Sequence, residues 1–205
     1  DLTKWICCSC GIKVPVGKKT TLGALRQNGT MVAMPYVVKP VSDGSSVGVY
    51  IVRTPEDMKA IDYTDEEREI LVEKYIEGKE LTVSVLNGKA ITVTEMRPKT
   101  GFYDYRAKYT DGITDHIIPA EIPEAAFNTA LRYAEKLHKA LGCSTVSRTD
   151  MRYNEQDGIV VLEINTNPGM TPLSLVPEQF KYAGGSYEEL CRILVEEARC
   201  RKIVR

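Results

Sequence analysis

Asn87-Gly88 stands between two segments of strand-forming residues, Leu81–Val85 and Ala90–Thr94. An Asn-Gly pair supplies the positive-φ residues of a tight hairpin turn, so the two segments are committed to antiparallel pairing. A second pair of strands is expected downstream, where Ser144–Tyr153 and Gly158–Asn165 flank the turn Asn154–Asp157. Pairing across so short a connection sets Asp150 near Glu163.

That second hairpin leads into Val160–Pro177, which reads VVLEINTNPGMTPLSLVP. Val160, Val161 and Leu162 are expected to form a buried strand. Its end delivers Glu163 and Asn165, which face the same way because extended residues two apart share a side. The turn formers Asn167, Pro168 and Gly169 follow. By itself this spacing fits either a strand leaving the core through an ordinary polar turn or a Mg²⁺ site beside bound phosphates. With Asp150 added, two carboxylates and an amide oxygen converge on one point. Like charges packed that closely require a cation, which favours the metal reading.

The other elements follow from local signals. The chain opens inside a helix, with Trp5, Ile6 and Cys10 ahead of Gly11 as its stop. A helix that begins without an initiating Met implies residues ahead of Asp1 in the native protein. A short helix over Thr21–Gln27 stops at Asn28-Gly29, and Tyr36–Val38 form a strand that presents Lys39 at its end. The segment Ser42–Gly48, rich in Gly and Ser, leads to the strand Val49–Val52. It can wrap phosphate oxygens with freed backbone amides, or it can be a plain hairpin connection. Thr54 caps a helix with Pro55 in its first turn, and the acidic stretch Asp62–Glu69 lies in solvent. Residues 98–119 read as one long polar loop dense in aromatic and charged side chains, and so long a loop points to function. A helix over Pro123–Leu141 aligns Phe127, Leu131, Ala134, Leu137 and Leu141, with His138 at the surface or in partly buried packing. Ser186 and Glu189 form a capping box for a last helix that turns Leu190, Ile193 and Leu194 inward. The basic tail Arg199–Arg205 is a solvated end.

Composition narrows the function classes. The chain's 205 residues suit one domain or two small ones. The 27 basic and 28 acidic residues leave a net charge of −1, which argues against a nucleic-acid surface and against a basic membrane patch. No apolar run approaches the ~20 residues of a membrane span, and no signal peptide opens the chain, so a cytoplasmic protein is expected. The six cysteines show no C-x-x-C pairing, and His116 and His138 lie apart from them. A disulfide scaffold and a zinc site are therefore disfavoured, and Cys7, Cys8 and Cys10 are expected as small buried thiols.

Five stretches together carry a resemblance: VVKPVSDGSSVGV (37–49), LVEKYIEGKELTV (71–83), GFYDYRAKY (101–109), SRTDM (147–151) and LEINTNPGMTPLSLVP (162–177). In content, order and spacing they resemble the D-alanine–D-alanine ligases of the ATP-grasp superfamily. The resemblance implies an α+β fold of two lobes, about 1–77 and 78–205, with ATP between them and the long loop 98–119 closing over the site. It implies ligation of two D-alanines through an acyl phosphate, for peptidoglycan precursor synthesis. Among the nucleotide contacts, Lys39 would meet the phosphates, Glu73, Lys74 and Ile76 the adenine, and Glu80 the ribose; Phe102 and Lys108 would join them. Asp150, Glu163 and Asn165 would hold two Mg²⁺ ions, with Mn²⁺ as a possible substitute. Arg148 and the backbone amide of Gly169 would stabilise the oxyanion, a term worth roughly a few kcal/mol per donor. Ser174 and Leu175 would receive the second substrate's carboxylate. Ser45 and Tyr109 would share a hydrogen-bonded set with a glutamate from an N-terminal domain of roughly a hundred residues that this chain lacks. Homodimerisation is implied as well. The family pattern departs at Asn167, where serine is common, and at Leu173, where histidine often precedes the serine. Two alternatives stay open: a nucleotide-binding module without catalysis, and an ATP-grasp carboxylate–amine ligase for another amino acid.

Overall fold

Alternation along the strands divides the chain into two antiparallel sheets that face one cavity, an α+β arrangement. The computed structural model describes residues 2–41, 47–99, 114–172 and 174–198. The first sheet contains β1 (Gly17–Thr21), β2 (Tyr36–Pro40), β3 (Tyr50–Val52) and β4 (Glu69–Lys74) in the order β1-β4-β2-β3. Tyr36 and Val38 of β2 and Ile70 and Val72 of β4 pack beneath Leu22 and Leu25 of α2 (Leu22–Asn28). Lys39 and Glu73, at the alternate positions, therefore point to the opposite face. Thr21 caps α2 by accepting the Ala24 N–H. Thr54 and Asp57 form a reciprocal capping box for α3 (Pro55–Lys59).

The second sheet contains β5 (Lys79–Leu86), β6 (Lys89–Pro98), β7 (Thr114–Ile117), β8 (Val146–Asn154) and β9 (Gly158–Asn165), in the order β7-β6-β5-β8-β9. Both expected hairpins are present, and Asn87 and Gly88 take φ values of 49° and 79° in the turn between β5 and β6. One face of this sheet buries Leu81, Val83, Val85, Val93, Met151 and Val161 against Ala130, Ala134 and Leu137 of α4 (Glu124–Ala140). The helix α1 (Leu2–Ser9) adds Cys7 to that same core, and Ile12 follows it in. The Val161 N–H donates to the Lys13 carbonyl at 2.9 Å, fastening the start of the chain to β9. Ser186 caps α6 (Tyr187–Glu196), whose Leu190 is buried.

Several expectations need correction. Residues 98–119 do not form one loop, because Pro98 ends β6 and Thr114–Ile117 pair with it as β7. Four residues are too short a pattern to signal a strand, and the open edge of β6 supplies the pairing. Of the three clustered thiols only Cys7 is buried; Cys8 is exposed and Cys10 half-buried, since consecutive helix positions cannot share one face. Burial, with help from Cys8 and Cys10, pushes the Cys7 thiol up to about 11. The five described cysteines are free. His138 is buried rather than superficial. Its Nε2–H points at the Ser144 carbonyl at 3.3 Å, and in that neutral tautomer Nδ1 accepts from the Ser147 hydroxyl at 2.8 Å. The tail Arg199–Arg205 lies outside the described residues. Among the described residues no helix is long and apolar enough to cross a membrane.

The second sheet is also secured by one buried amide. The register of β5 against β6 slips between Val83 and Val85, so the Ser84 N–H has no partner opposite. Gln179, fully buried on α5 (Leu175–Tyr182), accepts that N–H at 2.9 Å. Its own amide donates to the Thr82 carbonyl at 3.1 Å and to the Thr94 hydroxyl at 2.9 Å. Gln179→Leu keeps the volume and strands these groups in a dry interior. Its expected cost is about 3 kcal/mol, measured by equilibrium urea unfolding. His138 offers a separate check. Burial holds its imidazole below the usual histidine range, against the opposing hydrogen bond to Ser144. The neutral folded form is favoured, so stability is lost as pH falls through and below that range. His138→Gln is expected to show a smaller loss of stability than the parent between pH 7 and pH 5 in the same unfolding measurement.

Candidate active site

The faces of the two sheets not covered by α2 and α4 meet in a cavity. Val37, Lys39 and Glu73 line it from the first sheet, and Glu80, Asp150, Arg152, Leu162 and Glu163 line it from the second. The joint between the sheets contributes Lys74, Tyr75 and Ile76. Lys39 extends from β2, and its Nζ lies 2.6 Å from the Glu73 carboxylate on the neighbouring strand β4. Lys4 of α1 pairs with the other Glu73 oxygen and also donates to the Pro15 carbonyl at 2.7 Å. Burial pushes the Glu73 carboxyl up, but the two lysines outweigh it and hold the group below the usual glutamate range. Glu73 is thus a buried anion at the cavity wall, shared between Lys39, which lines the cavity, and Lys4 of α1.

On the second sheet the polar row is arranged by direct cross-strand pairing. Glu80, Thr82 and Ser84 of β5 stand opposite Arg152, Asp150 and Arg148 of β8. The Asp150 carboxylate accepts from the Thr82 hydroxyl at 2.7 Å and from Arg148 through Nε at 2.9 Å and Nη2 at 2.8 Å. Asn165 donates its side-chain amide to the same carboxylate at 3.1 Å. On the other side of β8, Asp150 pairs with Glu163 and Arg148 with Asn165. Between Met151–Val161 and Asp150–Glu163 the register shifts by one residue, so Leu162 is an extra residue in β9. Ile159 and Val161 face the core before the bulge and Ile164 faces it afterwards, which brings Glu163 to the same face as Asp150. Leu162 is half-buried at the cavity wall rather than part of the buried strand expected from its sequence.

The turn after β9 leads to the N-terminus of α5. Ser174 precedes that helix, and its hydroxyl accepts the Thr171 N–H at 3.1 Å. A Cβ on Gly169 would lie 2.9 Å from the Ser174 hydroxyl, so a side chain there would crowd the serine. The Tyr187 hydroxyl donates to the Met170 carbonyl at 2.5 Å and pins the turn to α6. Leu175 is buried, leaving its backbone as the part that can address a ligand.

Of the residues singled out in the sequence, Lys39, Glu73, Lys74, Ile76, Glu80, Asp150 and Glu163 line the one cavity. Arg148 and Asn165 adjoin it through Asp150, whereas Gly169, Ser174 and Leu175 cluster at the start of α5. Ser45, Phe102, Lys108 and Tyr109 lie outside the described residues. Sequence reasoning missed Lys4, Tyr75 and Arg152. Arg152 had a signal, since it follows Asp150 by two residues on a strand. Lys4 had none, being 69 residues from its partner Glu73.

Two facing antiparallel sheets with Lys39, Asp150 and Glu163 between them are an α+β arrangement of the ATP-grasp class, as its similar solved structures bear out. A family model described as D-ala D-ala ligase C-terminus matches residues 16–196. A D-alanine–D-alanine ligase from Erythrobacter litoralis is 48% identical over 207 residues, covering 97% of this chain and 64% of that protein. The corresponding ligase from Gluconobacter oxydans is 47% identical over 204 residues, covering 97% and 67%. Among solved structures, a D-alanine–D-alanine ligase from Bacillus anthracis superposes with a TM-score of 0.79 at 33% identity, covering 96% of this chain and 65% of that one. A D-Ala:D-Ser ligase from Enterococcus faecalis gives a TM-score of 0.77 at 30% identity, covering 95% and 59%. The chain belongs to the D-alanine–D-alanine ligase family and matches its C-terminal part. It spans about two thirds of the length of these curated relatives, 64% and 67%.

The charge arrangement at Glu73 gives a direct check. Glu73→Gln removes the anion that two lysines share and is expected to cost about 3 kcal/mol at neutral pH in urea unfolding. Because the folded-state carboxyl is held low, this stabilisation is present above the ordinary glutamate range and disappears as pH falls through the folded value. The gap between parent and variant should therefore narrow on acidification to pH 4.

Proposed function

We propose that the chain provides the ATP site and condensation site of an ATP-dependent D-alanine–D-alanine ligase that makes D-alanyl-D-alanine for peptidoglycan precursor synthesis. The observation that carries this reading is the convergence of Lys39, Glu73, Lys74, Ile76, Glu80, Asp150 and Glu163 on one cavity in a chain of this family. ATP lies between the lobes 1–77 and 78–205, with α1 fastened to the second. Lys39 contacts the phosphates, the backbone of Glu73 to Ile76 receives the adenine, and Glu80 accepts from the ribose hydroxyls. Phe102 and Lys108 contribute to the nucleotide site. Ser45 and Tyr109 act with a glutamate from an N-terminal domain.

The donor set on the second sheet fits a hard divalent cation. Two carboxylates and an amide oxygen share one face, and Mg²⁺ is commonly held by one or two carboxylates together with substrate phosphates. Among the described residues no group of three His, Cys, Asp or Glu side chains is placed to hold a metal by itself. Asp150, Glu163 and Asn165 would hold two Mg²⁺ ions, with Mn²⁺ as a substitute, and these would neutralise charge on the β- and γ-phosphates.

The carboxylate of the first D-alanine attacks the γ-phosphorus, forming an acyl phosphate and releasing ADP. The amine of the second D-alanine then attacks the acyl carbon, and phosphate leaves as the peptide bond forms. Arg148, oriented by its two hydrogen bonds to Asp150, and the Gly169 N–H stabilise the oxyanion of that addition. Ser174 and the Leu175 amide, at the positive end of α5, hold the second substrate's carboxylate. The enzyme acts in the cytoplasm as a homodimer. D-serine is the competing second substrate, because a D-Ala:D-Ser ligase is among the similar structures.

The native protein is expected to release phosphate from Mg²⁺-ATP only when D-alanine is present, and release that is absent or indifferent to D-alanine would rule the ligase out. Offering D-serine beside D-alanine and identifying the dipeptide by mass separates the two second substrates. Glu163→Gln should lower turnover about a hundredfold or more. Since Glu163 is exposed, its effect on the unfolding midpoint should be small, within about 0.5 kcal/mol.

A further inference from the structure

Arg152 is the cavity residue whose contacts are least explained by holding the sheet together. It stands directly opposite Glu80, and its Nη2 donates to the Glu80 carboxylate at 2.7 Å, with both side chains about nine-tenths buried. Its Nη1 donates to the Gly78 carbonyl at 3.0 Å. The guanidinium also lies 5.6 Å from the centre of the Tyr75 ring, which Arg53, just after β3, approaches at 5.4 Å. One planar cation therefore contacts three points of the joint between the sheets: the ring at 75, the carbonyl at 78 and the carboxylate at 80.

The backbone at this joint is tightly seated. Gly78 adopts φ 112°, and a Cβ there would fall 2.1 Å from the Tyr153 carbonyl. The Asn154 side chain donates to the Glu77 carbonyl at 2.9 Å. Residues 77 and 78 are thus held against the end of β8, and Arg152 extends that hold to the side chain of Glu80. A lone buried carboxylate would be repelled by a nearby triphosphate and free to turn. Paired with a fork-shaped cation it keeps both its charge and its direction.

We propose that Arg152 is a positioning residue for the sugar of the nucleotide: by fixing Glu80 and the joint 75–78, it makes the site select a ribose carrying both hydroxyls. This rests on the reading of Glu80 as the ribose acceptor. A carboxylate locked in place loses its partner when a hydroxyl is missing, whereas one free to rotate finds water instead.

The test is initial-rate kinetics of the native protein with ATP, 2′-deoxyATP and 3′-deoxyATP. The parent should favour ATP over at least one deoxy analogue by about tenfold in kcat/KM, the size of one well-made hydrogen bond to a charged group. In Arg152→Met that preference should collapse to within about twofold, with the KM for ATP raised and the KM for D-alanine unmoved. Arg152→Lys should restore it only in part, because an ammonium cannot reach Gly78 and Glu80 as a fork. If Arg152→Met lowers activity on all three nucleotides equally while Glu80→Gln abolishes the preference, Arg152 is merely structural and the inference is overturned. If Glu80→Gln leaves the preference intact, the ribose reading itself fails. Should Arg152→Met not fold, Arg152→Lys decides alone: a preference reduced threefold or more supports the proposal, and an unchanged one overturns it.

Discussion

The pairing of β8 with β9 is the interaction on which the cavity depends. Direct opposition of Asp150 and Glu163 places two carboxylates on one surface, and the single extra residue Leu162 makes this possible without dislodging Val161 from the core. A strand of strict alternation with Val161 inward would turn Glu163 inward as well. The bulge changes the phase at Leu162, so that Glu163 turns to the cavity and Ile164 takes the core side. Arg148, Thr82 and Asn165 then compensate the charge of Asp150.

The first sheet faces this row across the cavity. Its inner surface offers Lys39, held by Glu73, which Lys4 of α1 also pairs with. A buried carboxylate with two ammonium partners holds cationic ends at a fixed place while keeping them from repelling one another. Each wall thus carries both signs of charge in paired form, Lys39 with Glu73 on the first sheet and Arg152 with Glu80 on the second.

Much of this was legible in the residues. Asn87-Gly88, the turn at 154–157 and the alternation around them specified both hairpins, and with them the meeting of Asp150 with Glu163. Caps at Thr54 and Ser186 marked helix starts correctly because each is a local contact of three residues. What escaped was set by distant partners. The strand 114–117 exists because β6 has an open edge, and His138 is buried because α4 turns its Ala134 and Leu137 onto the sheet. Lys4 joins the site only through packing of α1, and the bulge at Leu162 leaves no mark in a run of apolar residues. The identities of the cavity residues came through the family's motifs rather than through spacing, since Glu-x-Asn alone fits an ordinary turn.

The attachment of α1 bears on how the molecule is made. Its Cys7 and the following Ile12 complete a core whose other members include Ile159 and Val161, and the Lys13 carbonyl is bonded to Val161 itself. A chain emerging from the ribosome exposes these apolar residues long before their partners are synthesised. The first sheet can close on itself with residues 17–74 alone, but the opening helix must wait for the last hairpin. This helix is therefore among the last of the described elements to find its place, because its contacts reach across to the last hairpin.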